Sequence, residues 1–247
     1  MTSFAFGRDA AEGWRFAASH VLLPVAAVAA LLWLIDAAGL DRALSDAFYD
    51  PQTRTFPLRH AWLLDVVLHH WTKYVVGTLG ALCVAGYALS FVLPPLAPHR
   101  RALLFLALAM GLSTLSVSSL KLLFSRHCPW DLDIYGGFAP YEGLLRAIPA
   151  ALKPGHCFPG GHASTGFALM SFYFVFYPHR RDLAALALAL GIASGMALGL
   201  GRVMQGAHFL SHNVWSGLIC WLVIVAVWMA LPQPLAQPRP ATRPARA

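Results

Sequence analysis

The sequence predicts an all-α integral membrane protein, a bundle of six transmembrane helices with an amphipathic interfacial segment and a long outer loop. Of its 247 residues, 58% are hydrophobic and 12% are charged. A soluble domain carries about 25% charged residues, so the composition favours a membrane-embedded chain. Six apolar stretches are long enough to cross a bilayer. They are residues 18–40, 71–93, 102–124, 162–178, 183–200 and 214–231.

Residues 1–232, which include the six spans, are predicted to form one membrane domain. The Pro- and Arg-rich segment 233–247 is predicted to be a disordered cytoplasmic tail. The first apolar run is longer than the core of a signal peptide and lacks an evident cleavage site, so we interpret it as a span. Segment 41–71 mixes charges with aromatic residues, which predicts an interfacial position. In the fifth span Gly191, Gly195 and Gly199 recur every four residues, a spacing that lets two helices pack closely.

Basic residues indicate the orientation of the spans. With six spans, one side receives Arg8, Arg15, Arg100, Arg101, Arg180, Arg181, Arg239, Arg243 and Arg246. The positive-inside rule makes this side cytoplasmic, with both termini inside. The net charge of +7 therefore reflects topology, and the short basic clusters argue against a nucleic-acid partner. The opposite side, which is the periplasmic side in a bacterial inner membrane, carries segments 41–70, 125–161 and 201–213.

Two segments on the predicted outer side stand out, one at the end of the third span and one at the start of the fourth. KLLFSRHCP, residues 121–129, puts Lys121 at the end of the third span, where a lysine is either functional or extends to the interface. CFPGGHAS, residues 157–164, opens the fourth span with Pro159 and two glycines. Such a helix start exposes N–H groups that attract an anion, although the same turn is often only structural.

A third outer segment, GRVMQGAHFLSHN at residues 201–213, contains Arg202, His208 and His212. The two histidines have the i, i+4 spacing of a metal-binding pair. No carboxylate of the HExxH type accompanies them, so we expect neither a metal nor another cofactor. Cations, N–H donors and two histidines on one membrane face suit phosphoryl transfer, because charge spreads over the phosphoryl oxygens in the transition state.

In order and spacing, these segments resemble the signatures of the type 2 phosphatidic acid phosphatase superfamily. The signatures are Lys, six residues, Arg-Pro; then Pro-Ser-Gly-His; then Ser-Arg, five residues, His, three residues, Asp. The matching residues are Lys121, Pro129, Pro159, Gly161, His162, Arg202 and His208. Four positions differ, with Cys128 in place of Arg, Gly160 and Gly201 in place of Ser, and His212 in place of Asp.

The resemblance implies that His208 is the nucleophile, forming a phosphohistidine, and that His162 protonates the leaving oxygen. It also implies that the phosphoryl oxygens are bound by Lys121, Arg202 and the backbone amides near Gly160 and Gly161. No metal is implied.

The departures from the signatures need substitutes elsewhere in the chain. Either His212 or Asn213 would orient the nucleophile in place of the family's Asp. Arg126, two residues before Cys128, would supply the charge of the missing Arg.

Cys128 and Cys157 lie in the same outer loop, each beside a signature segment, and an oxidising periplasm would allow them to form a disulfide. Two free thiols are the alternative. Loop 130–156 is expected to cover the site and select the headgroup. Its carboxylates, Asp131, Asp133 and Glu142, are expected to be solvated or to pair with Arg126 rather than to act as acids or bases.

The sequence therefore predicts a membrane phosphatase that hydrolyses a lipid phosphomonoester or diphosphate at the periplasmic face. A phosphorylated membrane lipid is its expected partner. A lipid phosphotransferase with the same chemistry is an alternative. A non-catalytic lipid-phosphate binder or transporter is another, and the retention of both signature histidines argues against it.

Overall fold

The protein, described by a computed structural model over residues 10–141 and 153–231, is predominantly helical. Five helices in these ranges are long and apolar enough to cross a membrane. They are α1 (Ala11–Ala37), α3 (Leu63–Leu89), α4 (Pro94–Leu123), α6 (Arg181–Met204) and α7 (Leu210–Ala230). The short α2 (Leu40–Asp46) follows α1, and α5 runs over residues 161–176. The predicted tail 233–247 and Glu142 lie outside the described residues.

The fourth predicted span, 162–178, is not one of the five long helices. It corresponds to α5, which consists of an α-helical segment of 7 residues, a 3₁₀ segment of 4 and an α-helical segment of 5. At about 1.5 Å per residue this helix is shorter than a hydrocarbon core of about 30 Å. It ends next to Pro178, which cannot continue a helix. α5 is also the most enclosed helix, packed against α4, α6 and α7.

The predicted interfacial segment is shorter than expected, because α3 begins at Leu63 rather than at about residue 71. Between α1 and α3 the chain forms α2, an isolated bridge from Asp50 to Thr55, and a 3₁₀ turn at Pro57–His60. Aromatic side chains of this segment pack with the loop after α4 and with Phe209. The segment therefore covers the same end of the bundle as the turn between α6 and α7.

Helix α1 is joined to the bundle through a π-helical turn at Ala18–Leu22. Pro24 has no N–H, so it cannot donate the usual i to i−4 hydrogen bond to the carbonyl of His20. The indole N–H of Trp221 on α7 donates to that carbonyl instead, at 2.7 Å. The His20 Nε2 atom lies 2.9 Å from the Tyr173 hydroxyl. A local backbone defect thus becomes the polar contact between three helices.

The close packing predicted from the glycine repeat is confirmed. A Cβ on Gly191 would collide with the backbone of Met170, and one on Gly195 would collide with the Phe167 ring. Both partners belong to α5, so two glycines of α6 admit α5 at close range. The third, Gly199, faces the side chain of Asn213 on α7. The repeat therefore fixes α6 against both neighbours.

The two ends of the bundle differ in character. At one end Arg101 donates to the carbonyl of Leu231, and Arg181 stacks on Tyr177 with its Cζ atom 3.6 Å from the ring centroid. At the other end are the last turn of α4, the start of α5 and the turn between α6 and α7, which carry Lys121, His162 and His208. The signature residues thus lie at the end opposite to these arginines.

Candidate active site

The start of α5 places Gly161 beside Lys121. Gly160 precedes the helix with an extended backbone, and its N–H donates to the carbonyl of His212 at 3.1 Å. That amide is therefore used within the protein, which narrows the predicted phosphate-binding amides to those that follow it. A Cβ on Gly161 would lie 3.3 Å from the Lys121 Nζ atom. The ammonium group and the open N-terminus of α5 thus face the same space.

Asn213 accounts for the glycine at position 160. Its side chain is fully buried, and its Nδ2 atom donates to the Phe209 carbonyl at 3.2 Å. Its Oδ1 atom occupies the space that a Cβ on Gly160 would need. The serine of the family signature would not fit there without movement of Asn213. Asn213 therefore serves as a packing group between α5, α6 and α7.

His208 lies in the turn between α6 and α7 and is 3% exposed. Burial lowers its pKa well below the ordinary histidine value, and positive charge from Lys121 and Arg202 lowers it further. His162 and His212 act on it in the same direction. A histidine with a lowered pKa is neutral at pH 7, so its ring nitrogen has a free electron pair. Among the described residues, nothing accepts or donates a hydrogen bond at its Nδ1 atom.

Of the two candidates for orienting His208, the structure places His212 next to it. The ring centroids of His208 and His212 are 5.9 Å apart. The His212 imidazole forms a hydrogen bond with the backbone of Cys157, which ties the first turn of α7 to the segment before α5. The side chain of Asn213 is directed instead to Gly160 and Gly199.

Arg202 is held beside the site by its neighbours. Its Nη1 atom donates to Gln205 Oε1 at 2.7 Å, and the negative charge of Asp65 acts on it from α3. Its Cζ atom lies 5.7 Å from the ring centroid of Trp130. Because the Gln205 side chain is fully buried, it cannot move freely, and its hydrogen bond holds the Arg202 guanidinium in place. Asp65, Gln205 and Trp130 were not among the predicted site residues.

Arg126 lies between the end of α4 and the disulfide cysteine Cys128. Its positive charge acts on His212, whereas the groups that act on His208 are Lys121, His162, His212 and Arg202. Its carbonyl accepts a hydrogen bond from the Cys157 N–H at 2.9 Å. Of the loop carboxylates, Asp131 accepts from the Cys128 N–H and Asp133 from the Ile134 N–H.

Cys128 and Cys157 form a disulfide in the structure, with their Cα atoms 5.1 Å apart and a separation of 29 positions in sequence. It links the segment after α4 to the segment before α5. We expect that reducing the protein, or replacing Cys157 with Ser, lowers the melting temperature. Closing a loop of this length contributes about 3–4 kcal/mol in the chain-entropy account. Differential scanning fluorimetry with and without reductant measures the shift. Cys83→Ser, at a buried free cysteine, is the control for thiol loss, and an unchanged melting temperature on reduction would contradict the expectation.

Asp41 is a further residue that the sequence did not identify. From α2, its carboxylate accepts hydrogen bonds from both the N–H (2.9 Å) and the hydroxyl (2.5 Å) of Ser211. Burial raises its pKa, and these hydrogen bonds oppose that effect. Helix α7 has no cap from its own Phe209, so Asp41 is the cap, supplied by a segment 170 positions away. The carboxylate satisfies a free N–H and stabilises the positive end of the helix dipole.

Replacing Asp41 with Ala should destabilise the start of α7 by about 1–2 kcal/mol, the usual cost of losing a helix cap. Because His208 and His212 flank that start, activity should fall with stability. Asp41→Asn should retain part of both, since an amide oxygen still accepts from Ser211. Thermal unfolding and phosphate release on the same samples measure this. Asp36→Asn, which changes an exposed carboxylate, is the control. Equal losses of stability and activity in Asp36→Asn and Asp41→Asn would show that Asp41 is not a specific cap.

Taken together, the described residues bring Lys121, His162, Arg202, His208 and His212 to one end of the bundle, around the N-terminus of α5. No three His, Cys, Asp or Glu side chains within 10–141 and 153–231 are grouped so as to hold a metal ion. The arrangement offers two imidazoles and two fixed cations to one small anion. It matches the requirements of phosphoryl transfer.

Comparison with known proteins agrees with this arrangement. A family model described as the PAP2 superfamily matches residues 102–234, more than half of the chain. The matched range includes every signature residue from Lys121 to His212, whereas Asp41 and Asp65 precede it. Searches of curated proteins and of solved structures found no match. This family generally comprises phosphatases, and several apolar helices give the chain the character of a multi-pass membrane protein. The chain belongs to the PAP2 superfamily.

Proposed function

We propose that this protein hydrolyses a lipid phosphomonoester or diphosphate through a phosphohistidine at His208. The surroundings of His208 are the main support for this proposal. The His208 imidazole is buried and has a lowered pKa, and it lies beside a second histidine and two cations at the N-terminus of α5. A neutral imidazole and a positively charged phosphate pocket are what a histidine nucleophile needs.

In the first step, the electron pair of a His208 ring nitrogen attacks phosphorus. The bond between phosphorus and the leaving oxygen breaks as the N–P bond forms. Protonated His162 gives its proton to the leaving oxygen, so the lipid alcohol, or the lipid phosphate when the substrate is a diphosphate, departs with that oxygen protonated. Lys121, Arg202 and the first free N–H groups of α5 stabilise the negative charge on the three remaining phosphoryl oxygens.

In the second step, water attacks the phosphorus of the phosphohistidine. His162, now neutral, takes a proton from that water, and the N–P bond breaks to release inorganic phosphate and the His208 imidazole. His212 packs beside the His208 ring and keeps that ring in place. The hydrogen bond from His212 to the Cys157 backbone fixes the position of His212. A phosphotransferase would use a lipid hydroxyl in place of water in this step.

We infer that the site faces the periplasm of a bacterial inner membrane and that both termini are cytoplasmic. Support comes from the arginines at the opposite end of the bundle, which the positive-inside rule assigns to the cytoplasm. Helix α5, although short, is then the sixth crossing, because it starts at the site and leads to Arg180 and Arg181. A substrate with its tail in the bilayer could present its phosphate at this end.

Phosphate release from lipid monophosphates and diphosphates by the purified protein in proteoliposomes tests the proposal. Hydrolysis that persists in EDTA and is inhibited by vanadate, a mimic of pentacoordinate phosphorus, is the expected result. Transfer to an added acceptor lipid without phosphate release would identify a phosphotransferase. Binding without either reaction would identify a lipid-phosphate binder. Activity lost in EDTA and restored by a divalent ion would contradict the metal-independent mechanism.

A further inference from the structure

We propose that Arg59, together with Trp130 and Arg202, forms a second anion subsite, which binds the second phosphate group of a lipid diphosphate. The inference rests on the proposed function and adds a preference among its substrates. Arg59 lies in the 3₁₀ turn before α3, outside the range of residues that matches the family. Arg59 is therefore not one of the signature residues and belongs to the segment between α1 and α3.

The guanidinium of Arg59 is held in place by stacking. Its Cζ atom lies 4.2 Å from the ring centroid of Trp130, within the range of a cation–π interaction. The Trp130 backbone N–H in turn donates to the Gly206 carbonyl at 2.9 Å. The ring that supports Arg59 is thus fixed to the turn that carries His208.

A second connection links Arg59 to the phosphoryl site. Gln205, fully buried, donates from Nε2 to the Arg59 carbonyl at 3.0 Å and accepts from Arg202 at Oε1. One side chain therefore sets the distance between the backbone of Arg59 and the guanidinium of Arg202. Arg202 is also near the Trp130 ring, so two guanidinium groups share one indole.

The two arginines differ in what balances their charge. Asp65 acts on Arg202, whereas Arg59 makes no ion pair within the part of the chain that the structure describes. The N–H groups of the Arg59 guanidinium donate to none of the described residues, and the side chain is exposed. The positive charges of Arg59 and Arg202 repel each other. Bringing like charges together is unfavourable; Asp65 offsets this at Arg202, and an anion bound beside Arg59 would offset it further.

A phosphate group suits this position. Guanidinium N–H groups bind phosphate oxygens in a bidentate manner, and stacking preorients the group so that little side-chain freedom is lost on binding. With the reacting phosphorus beside His208, the other phosphate of a diphosphate would extend towards Arg202 and Arg59. A monophosphate has no group that reaches Arg59.

The test compares KM for a lipid diphosphate and for the monophosphate with the same tail, in the wild type and in Arg59→Gln. We expect the variant to raise KM for the diphosphate about 10-fold or more, the loss typical of a charge-assisted hydrogen bond, while KM for the monophosphate changes less than about 3-fold. Arg59→Lys, which keeps the charge but not the planar fork, should fall between. Arg42→Gln is the matched control, because Arg42 is also exposed and lies over an aromatic ring, that of Tyr141.

Equal changes for both lipids, or no change, would overturn the subsite while leaving the phosphatase proposal intact. A wild-type protein that hydrolyses neither lipid would reject the phosphatase proposal instead. In that event, calorimetric binding of inorganic diphosphate and of inorganic phosphate to the same variants decides the subsite. Arg59→Gln should weaken diphosphate binding about 10-fold relative to phosphate binding, and an unchanged ratio would overturn the inference.

Discussion

Replacing His208 with Ala is expected to reduce phosphate release by at least about 10⁴-fold, because it removes the imidazole that bonds to phosphorus in the proposed first step. The measurement is kcat/KM for a lipid phosphate in proteoliposomes. Because His208 is buried, alanine also leaves a cavity, so His208→Asn should be measured beside it. Both variants should lose activity even where the asparagine variant unfolds at the temperature of the wild type.

His179→Ala is the control for this experiment, since His179 is an exposed histidine in the turn before α6, away from the site. It should leave activity unchanged. Substantial turnover by a folded His208 variant would show that another residue attacks phosphorus.

The pH dependence of kcat/KM is a second test of the role of His208. Because the pKa of His208 is lowered, its imidazole stays neutral as the pH falls. Protonation of His208 should therefore not reduce kcat/KM at pH values just below about 6.5, the ordinary pKa of a histidine.

Replacing His162 with Ala is expected to reduce kcat/KM by about 10²–10⁴-fold for a lipid substrate, the usual contribution of general acid catalysis. The reason is specific to the leaving group, because a lipid alkoxide is too basic to depart without a proton. For a nitrophenyl phosphate, whose leaving group is stable as an anion, the loss in the first step should be much smaller. Comparing kcat/KM for the two substrate types measures this difference, since that ratio reports the first irreversible step.

Lys121→Gln provides the comparison variant. Lys121→Gln removes a charge that stabilises the transition state for either substrate. The loss of kcat/KM should therefore be similar for the lipid phosphate and the nitrophenyl phosphate. Equal losses for both substrates in His162→Ala would contradict the assignment of His162 as the acid. Such a result would leave it as a second binding group for the phosphoryl oxygens.

Local features of the fold were predictable because they depend on neighbours in the sequence. The glycine repeat of α6 predicted close packing, and the structure confirms it with α5 and α7 in contact. Pro159 and the following glycines predicted the start of a helix, which begins at Gly161. Apolar runs predicted six spans, and five of them correspond to long helices whose ends are shifted by several residues, since hydrophobicity does not fix where a helix cap forms.

Features that depend on distant contacts could not be predicted from local patterns. Asp41 caps a helix 170 positions away, and Arg59 is tied to Gln205 across 146 positions. Both belong to a segment whose charges indicated only an interfacial location. The 3₁₀ segment inside α5 was also not predicted, because the hydropathy of residues 162–178 carries no sign of such an interruption.

The departures from the family signatures illustrate the same limit. Gly160 was recognisable as a replacement for serine, but its cause lies in Asn213, whose side chain fills the space. The sequence offered His212 and Asn213 equally as the group that orients the nucleophile. Their side chains point to different neighbours, because successive residues of a helix face directions about 100° apart. Only the arrangement of α5, α6 and α7 separates packing by Asn213 from proximity to His208.

Finding a phosphoryl group on His208 during turnover tests the proposed mechanism more directly than any variant does. Turnover of a lipid phosphate should be stopped by denaturation at alkaline pH, where phosphohistidine survives, and the digested protein analysed by mass spectrometry. We expect a phosphoryl group on His208, absent from His208→Asn and more abundant in His162→Ala supplied with a nitrophenyl phosphate. A phosphoryl group on His162 or His212 instead would contradict it.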